Sequence, residues 1–240
     1  MFTFLKKIRR HLIHSNNTKK YFAYAVGEIA LVVIGILIAL QINNWNEAQK
    51  DKELEHKMLI ELVDDLKSDT LYLGRQIRRG VRMTNDTEIM LTKPAFHDSL
   101  IPHFQIFGGL MTLLNKRTIE SIQASGENII SDDILRNQIH SYYQYADFLM
   151  SINEFTQDIF AEADQIPFQK KHFIRKQDDS ARGYHYMPKD YDDLIKSQDL
   201  DDYLLERRSR LYIVSRRYRQ IKGLAAECIK SINVYLNQNQ

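Results

Sequence analysis

Residues 29–40 run for twelve positions with only aliphatic side chains and one glycine. The apolar stretch reaches outward to Tyr21 and Ile42, and Glu28 is the one charged residue inside it. A helix crossing about 30 Å of hydrocarbon at about 1.5 Å per residue needs roughly 20 such residues. Residues 21–45 therefore read as a transmembrane anchor. Tyr21, Phe22 and Tyr24 at one end and Trp45 at the other suit the two interfacial aromatic belts. An apolar core of this size also fits a signal peptide, but no small-x-small pair follows it. Leu37 precedes Ala39 and Asn46 precedes Ala48, and the sole cysteine is Cys228.

Charge sets the expected orientation. Residues 1–20 carry Lys6, Lys7, Arg9, Arg10, Lys19 and Lys20 and no acid, whereas residues 43–62 carry only Lys50, Lys52 and Lys57 as cations. The bias places the N-terminus in the cytoplasm and residues 46–240 across an inner (cytoplasmic) membrane, in the periplasm. Phe2, Leu5, Ile8 and Leu12 share one face of a basic, amphipathic leader suited to an anionic inner leaflet. The nominal charge of +2 averages over this asymmetry. Six of the 33 basic residues lie in the leader and one of the 31 acids in the span, which leaves the remainder near −3. That balance and the topology together argue against nucleic acid as a partner.

The rest of the chain is patterned for helices. Leu54, Met58, Leu62, Leu66, Leu73, Ile77 and Val81 form a stripe over 46–90, with no breaker between Trp45 and Gly74, so anchor and stalk read as one helix. Pro94, Pro102, Gly108 and Gly109 punctuate an aromatic loop over 91–117. Thr118 is placed to cap a short helix ending at Gly126. Ser131 is placed to cap a longer one over 132–165, with Leu135, Ile139, Tyr142, Ala146, Leu149, Ile152, Phe155, Ile159 and Ala163 inward and Pro167 as its stop. A loop is expected from there to Asp190. The last helix repeats every seven residues through Leu204, Leu211, Val214, Tyr218, Ile221, Ala225, Cys228, Ile232 and Tyr235, with Arg207 as its one missing rung. Four prolines and nine glycines argue against a β-sandwich. The expected fold is all-α: a transmembrane helix continuing into an antiparallel bundle of three or four helices, with domains at 1–20, 21–45 and 46–240.

Few residues suggest chemistry. His97, Asp98 and His103 share a loop but match no zinc spacing, and no cofactor is expected. His140 reads as a hydrogen-bonded bundle histidine. Cys228 reads as a buried, inert thiol. Arg207, Arg208, Arg210, Arg216, Arg217, Arg219 and Lys222 read as a solvated face balanced by nearby acids. No nucleotide-binding, nucleophile-elbow or zinc-protease motif is present, so no enzyme activity is expected. Within the span, Ala23/Gly27 and Gly35/Ala39 are small-xxx-small pairs that admit a second helix.

The block YAVGEIALVVIGILIALQINNWNE behind a basic leader resembles a family of uncharacterised Gram-negative membrane proteins. SIQASGENIISDDILRNQIHSYYQY resembles that family's second recurring block, with its Ser-Gly turn and Tyr-Tyr pair. The resemblance implies an inner-membrane anchor and a periplasmic helical domain, and no activity. Two functional classes fit. The first is an interaction or sensing module in contact with the lipid bilayer and a membrane or envelope partner, or a second copy. The second is an accessory subunit of an ion-coupled membrane complex that uses Glu28. A hydrolase built on the loop at 91–109 is a distant third.

Overall fold

The computed structural model describes residues 18–239 except 112, 127, 128 and 178–183; the side chains of 18–21, 23, 24 and 184 are outside the description. The amphipathic leader therefore lies outside the described residues. The chain falls into two compact units, Met1–Glu55 and His56–Gln240.

Helix α1 (Thr18–Leu91) supplies the first unit and opens the second. In the first unit an 18-residue window has mean hydropathy 2.5 and none of it is buried. Every side chain from Val26 to Leu54 is exposed. A core helix of a soluble protein would hide one stripe of such a surface; this one is apolar on all sides and hides none. Among the described residues, one helix, near the N-terminus, is long and apolar enough to cross a membrane.

In the second unit, three long helices make a bundle: the remainder of α1, α3 (Asp133–Phe160) and α6 (Gln198–Gln238). Contacts fix their directions. Glu88 reaches Arg208 at one level, and Gly80 lies against Ser215 at another. Arg210 bonds Thr156 near one end of α3, and Cys228 meets Gln138 near the other. Thus α6 is antiparallel to both α1 and α3, which run parallel to each other. The chain must then travel back along the bundle between Leu91 and Asp133. It does so through a 3₁₀ turn (Asp98–Phe104), an extended segment and the short helix α2 (Arg117–Ser125).

That return segment is a loop, as the sequence suggested, held against the bundle as a strut, with Ile106 and Leu110 buried and Met111 and Leu113 exposed. Tyr203 donates to the Ile106 carbonyl (3.0 Å), Arg207 to that of Gly108 (3.0 Å), and Tyr218 to that of Leu110 (3.1 Å). Tyr72 donates to Met111 (3.1 Å). Side chains of α6 thus answer three of its carbonyls. Gly80 lets the strut approach, since a Cβ there would sit 2.6 Å from Ser215 Oγ and 3.1 Å from Leu110.

Two apolar cores result. The bundle core holds Leu62, Leu66, Leu73, Ile139, Tyr142, Ala146, Tyr218, Ile221, Ala225, Cys228 and Ile232, largely the residues the periodicity selects. The second core gathers Met90, Phe104, Ile106, Phe160, Phe168, Phe173, Leu194, Leu200, Tyr203 and Leu204 around the turn and a hairpin. Ring packing is dense there, with Phe168 stacked on Tyr203 at 4.4 Å and Phe107 edge-on to Phe173 at 4.9 Å.

Several expectations need correcting. The fold is mostly helical but not all-α. Residues 167–190 hold α4 (Ile166–His172) and the antiparallel pair β1 (Phe173–Gln177) and β2 (Tyr184–Pro188), followed by α5 (Tyr191–Leu194). Pro167 does not stop the helix. A π turn at Ala161–Gln165 widens the coil just before it, so the missing proline N–H falls in the first turn of α4. On α3 the buried stripe continues through Asn153 and Phe160, while Phe155 and Ile159, and Ala163 in the π turn, are exposed, because the aromatic core lies on the other flank. On α1 the buried face turns after Leu73 to Gly80, Met83, Thr87 and Met90, where the strut packs, and leaves Val81 exposed. Asp132, not Ser131, caps α3, accepting from Leu135 N at 2.7 Å, while Ser131 pairs with Tyr235. Thr118 caps nothing with its own side chain and serves instead as a donor. Val214 and Tyr235 are half-buried, with Ser215 and Leu236 taking the inward positions.

Candidate functional site

The sequence singled out residues of the span. Glu28 and Ala39 are exposed, Gly27 and Gly35 have no atom within reach of an added Cβ, and Trp45 is 68% exposed. Tyr21 and Tyr24 belong to α1, with side chains outside the described ones. Among the described residues nothing is assembled around Gly27, Glu28, Gly35, Ala39 or Trp45. The histidine loop also separates: His97 bonds Ser99 at 2.5 Å, whereas His103 Nδ1 meets Asp86 Oδ1 of α1 at 2.8 Å. Among the described residues no cluster of three His, Cys, Asp or Glu could hold a metal. His140 is exposed and pairs with Gln144. Cys228 is buried, and burial pushes its thiol up to about 11, so it is no nucleophile.

The structure brings buried charge together at two places in the second unit. The first centres on Arg207, which was expected on a solvated face. It is only 2% exposed and sits on the inward rung of α6 between Leu204 and Leu211. Nη1 donates to Gly108, and the Tyr203 phenol stands beside the guanidinium. Burial lowers the affinity of this guanidinium for its proton, opposed by Tyr203 and Asp86, while the Arg79 charge adds to the lowering. Burial pushes the Tyr203 phenol up to about 12, with Arg207 pulling it back. Beside these groups lies a surface cavity of about 600 Å³ lined by Arg79, Arg82, Asp86, His103, Gln105 and Phe107, among others. Arg79, Arg82 and Asp86 fall at steps of three and four on α1, so helix geometry puts them on one face. The 3₁₀ turn carries His103 over that face, and the strut brings Gln105 and Phe107.

The second place is a polar knot in the bundle core. Asp65 Oδ1 accepts from Asn115 Nδ2 (2.6 Å), and Oδ2 accepts from the hydroxyl (2.5 Å) and N–H (3.2 Å) of Thr118. It thereby caps the first turn of α2 from another helix. Asp69 Oδ1 accepts from Asn115 N at 2.9 Å, while Oδ2 has no partner. Burial pushes the Asp69 carboxyl up to about 6; the Asn115 N–H opposes this and the Asp65 charge adds to it. Tyr142 and Tyr143, edge to face at 4.8 Å, have hydroxyls without partners, and burial chiefly, with Asp69 contributing, raises both phenols. The Tyr-Tyr pair of the second sequence block therefore meets acids of the helix that continues the first.

Both sites escaped the periodicity argument, yet each leaves the same trace in it. Asp69 occupies the empty step between Leu66 and Leu73, and Arg207 the empty step between Leu204 and Leu211. A charge where a repeat calls for an apolar residue is the signal that finds them.

Residues 28–90 match the model of a family of unknown function, DUF6090. The matched segment contains Glu28, Asp65, Asp69, Arg79, Arg82 and Asp86, so it supplies the α1 side of both sites. No curated protein and no solved structure matches the chain.

Proposed function

We propose that this chain is a single-pass, membrane-anchored interaction or sensing module without enzymatic activity. Its N-terminus lies in the cytoplasm, and its helical domain lies in the periplasm of a Gram-negative cell. The observation that carries the reading is the 18-residue window of mean hydropathy 2.5 with none of its surface buried. Exposed to water, so large an apolar surface would drive aggregation; lipid or partner helices must cover it. The basic leader supports the orientation. Periplasmic-reporter fusions at Gln240 test it: activity with a periplasmic reporter is expected, and activity with a cytoplasmic reporter alone overturns it. Resistance of the chain to carbonate extraction from membranes is the companion measurement.

A second reading, an accessory subunit of an ion-coupled inner-membrane complex, draws on Glu28. It is the single acid within the span, exposed and next to Gly27, which leaves open space for a neighbouring helix. Glu28→Gln separates the two readings. An interaction module whose Glu28 merely reaches the headgroups keeps its native complexes on a blue-native gel. A subunit that uses this acid inserts normally but loses them.

A further inference from the structure

We propose that the cavity of α1 and the 3₁₀ turn is a binding site for a small organic anion, a phosphate monoester or carboxylate with a compact apolar body. Its ligands are Arg79 and Arg82, and the buried Arg207 charge adds to the potential that holds the anion. The inference goes beyond the anchoring and holds wherever the helical domain resides.

Charge bookkeeping gives the first argument. Arg79 and Arg82 line the cavity, and neither has an ion pair among the described residues. The acid lining it, Asp86, is already engaged by His103 at 2.8 Å. Arg207 stands close enough to feel both Asp86 and Arg79. Three guanidinium groups therefore share one carboxylate that is itself hydrogen-bonded elsewhere. A guanidinium buried to 2% exposure without an ion pair among the described residues costs stability unless the site gains something by keeping the charge. An anion supplies the missing negative charge, and paired arginines match the two oxygens of a carboxylate or phosphate.

Shape gives the second. The cavity, at about 600 Å³, has room for more than an inorganic ion. Met83, Ile89 and Phe107 provide apolar wall next to the arginines. Phe107 is held edge-on by Phe173 and Tyr186, each at 4.9 Å, so its ring is a fixed surface. The strut carrying it is pinned on either side, by Tyr203 at Ile106 and by Arg207 at Gly108. Arg207 thus contributes both charge and placement. A ligand with a ring and an acid group uses both walls, whereas inorganic phosphate uses one.

The test uses the full chain in a neutral detergent at fixed ionic strength, titrated calorimetrically with phenyl phosphate, benzoate and inorganic phosphate. Saturable binding is expected for the two ring-bearing anions, and weaker binding for inorganic phosphate. Arg79→Gln with Arg82→Gln should weaken phenyl phosphate at least about tenfold, the scale of one lost charge-assisted contact. Arg216→Gln with Lys222→Gln removes the same charge from exposed positions on α6 and should change nothing. Arg207→Met, which removes both the charge and the bond to Gly108, should weaken binding several-fold. Chains in nanodiscs rich in phosphatidic acid distinguish the source of the anion: competition with phenyl phosphate there assigns the site to a lipid headgroup, and its absence to a soluble molecule. No saturable binding by any probe, or equal loss in the two double variants, overturns the proposal.

Discussion

Replacing Asp69 by asparagine should make the bundle more stable at neutral pH and no more stable in acid. Asp69 is 3% exposed, and one of its oxygens has no partner. Burial raises its carboxyl from 3.8 to about 6. At about 1.4 kcal/mol for each tenfold change in proton affinity, that gap amounts to about 3 kcal/mol. Below the unfolded value both states are protonated and the residue contributes no pH dependence. As the pH rises from about 4 to about 6 the unfolded chain gives up this proton while the fold retains it, so stability falls. Above the folded value the penalty is complete and constant. Asparagine stays neutral throughout. Its Oδ1 can keep the bond from Asn115 N, and its amide nitrogen takes the place of the unpartnered Oδ2. The variant should gain about 1–3 kcal/mol at pH 7.5, and the gain should vanish near pH 4. Urea unfolding of the full chain in neutral detergent, followed by circular dichroism at several pH values, measures both. A difference between the two proteins that stays constant from pH 4 to pH 7.5 refutes the reasoning, because only titration of Asp69 makes it vary.

Further outcomes test the packing. Leu211→Ala and Ile221→Ala should each cost about 2–4 kcal/mol, and the half-buried Val214→Ala about 1 kcal/mol, in the same unfolding assay. Arg216→Ala, on the exposed face, should cost less than about 0.5 kcal/mol. Gly108→Ala should cost about 1–2 kcal/mol, since Gly108 holds φ +89° while donating to Gln165 and accepting from Arg207. A melting temperature equal to the parent's would show that the strut is not held where these bonds put it.

The three long helices were legible because each carries an apolar stripe at helical spacing, and burial follows that stripe at Leu62, Leu66, Ile139, Ala146, Tyr218, Ile221 and Ile232. The hairpin at 173–188 was not. Its short strands lack alternation, and β1 buries only Phe173, so no period-2 signal marks it. The strut is a loop, and its placement was not legible because its order comes from elsewhere. Its carbonyls are answered by Tyr72, Tyr203, Arg207 and Tyr218, which are 39 to 108 residues away along the chain.

The sequence by itself determined which segment is apolar on every side, where the long helices run, and many of the positions that face inward. These are local properties: side-chain type and the 3.6-residue turn decide them without reference to any other segment. It did not determine the burial of Asp69 or of Arg207, the missing rung read as part of a solvated face. What those charges meet was decided only by tertiary structure. Parallel α1 and α3 force the chain to return along the bundle. That return brings Asn115 to Asp69 and Gly108 to Arg207, and the 3₁₀ turn brings His103 over Asp86 beside Arg79 and Arg82. A repeat holds no information about which distant backbone group or cavity a buried charge will serve.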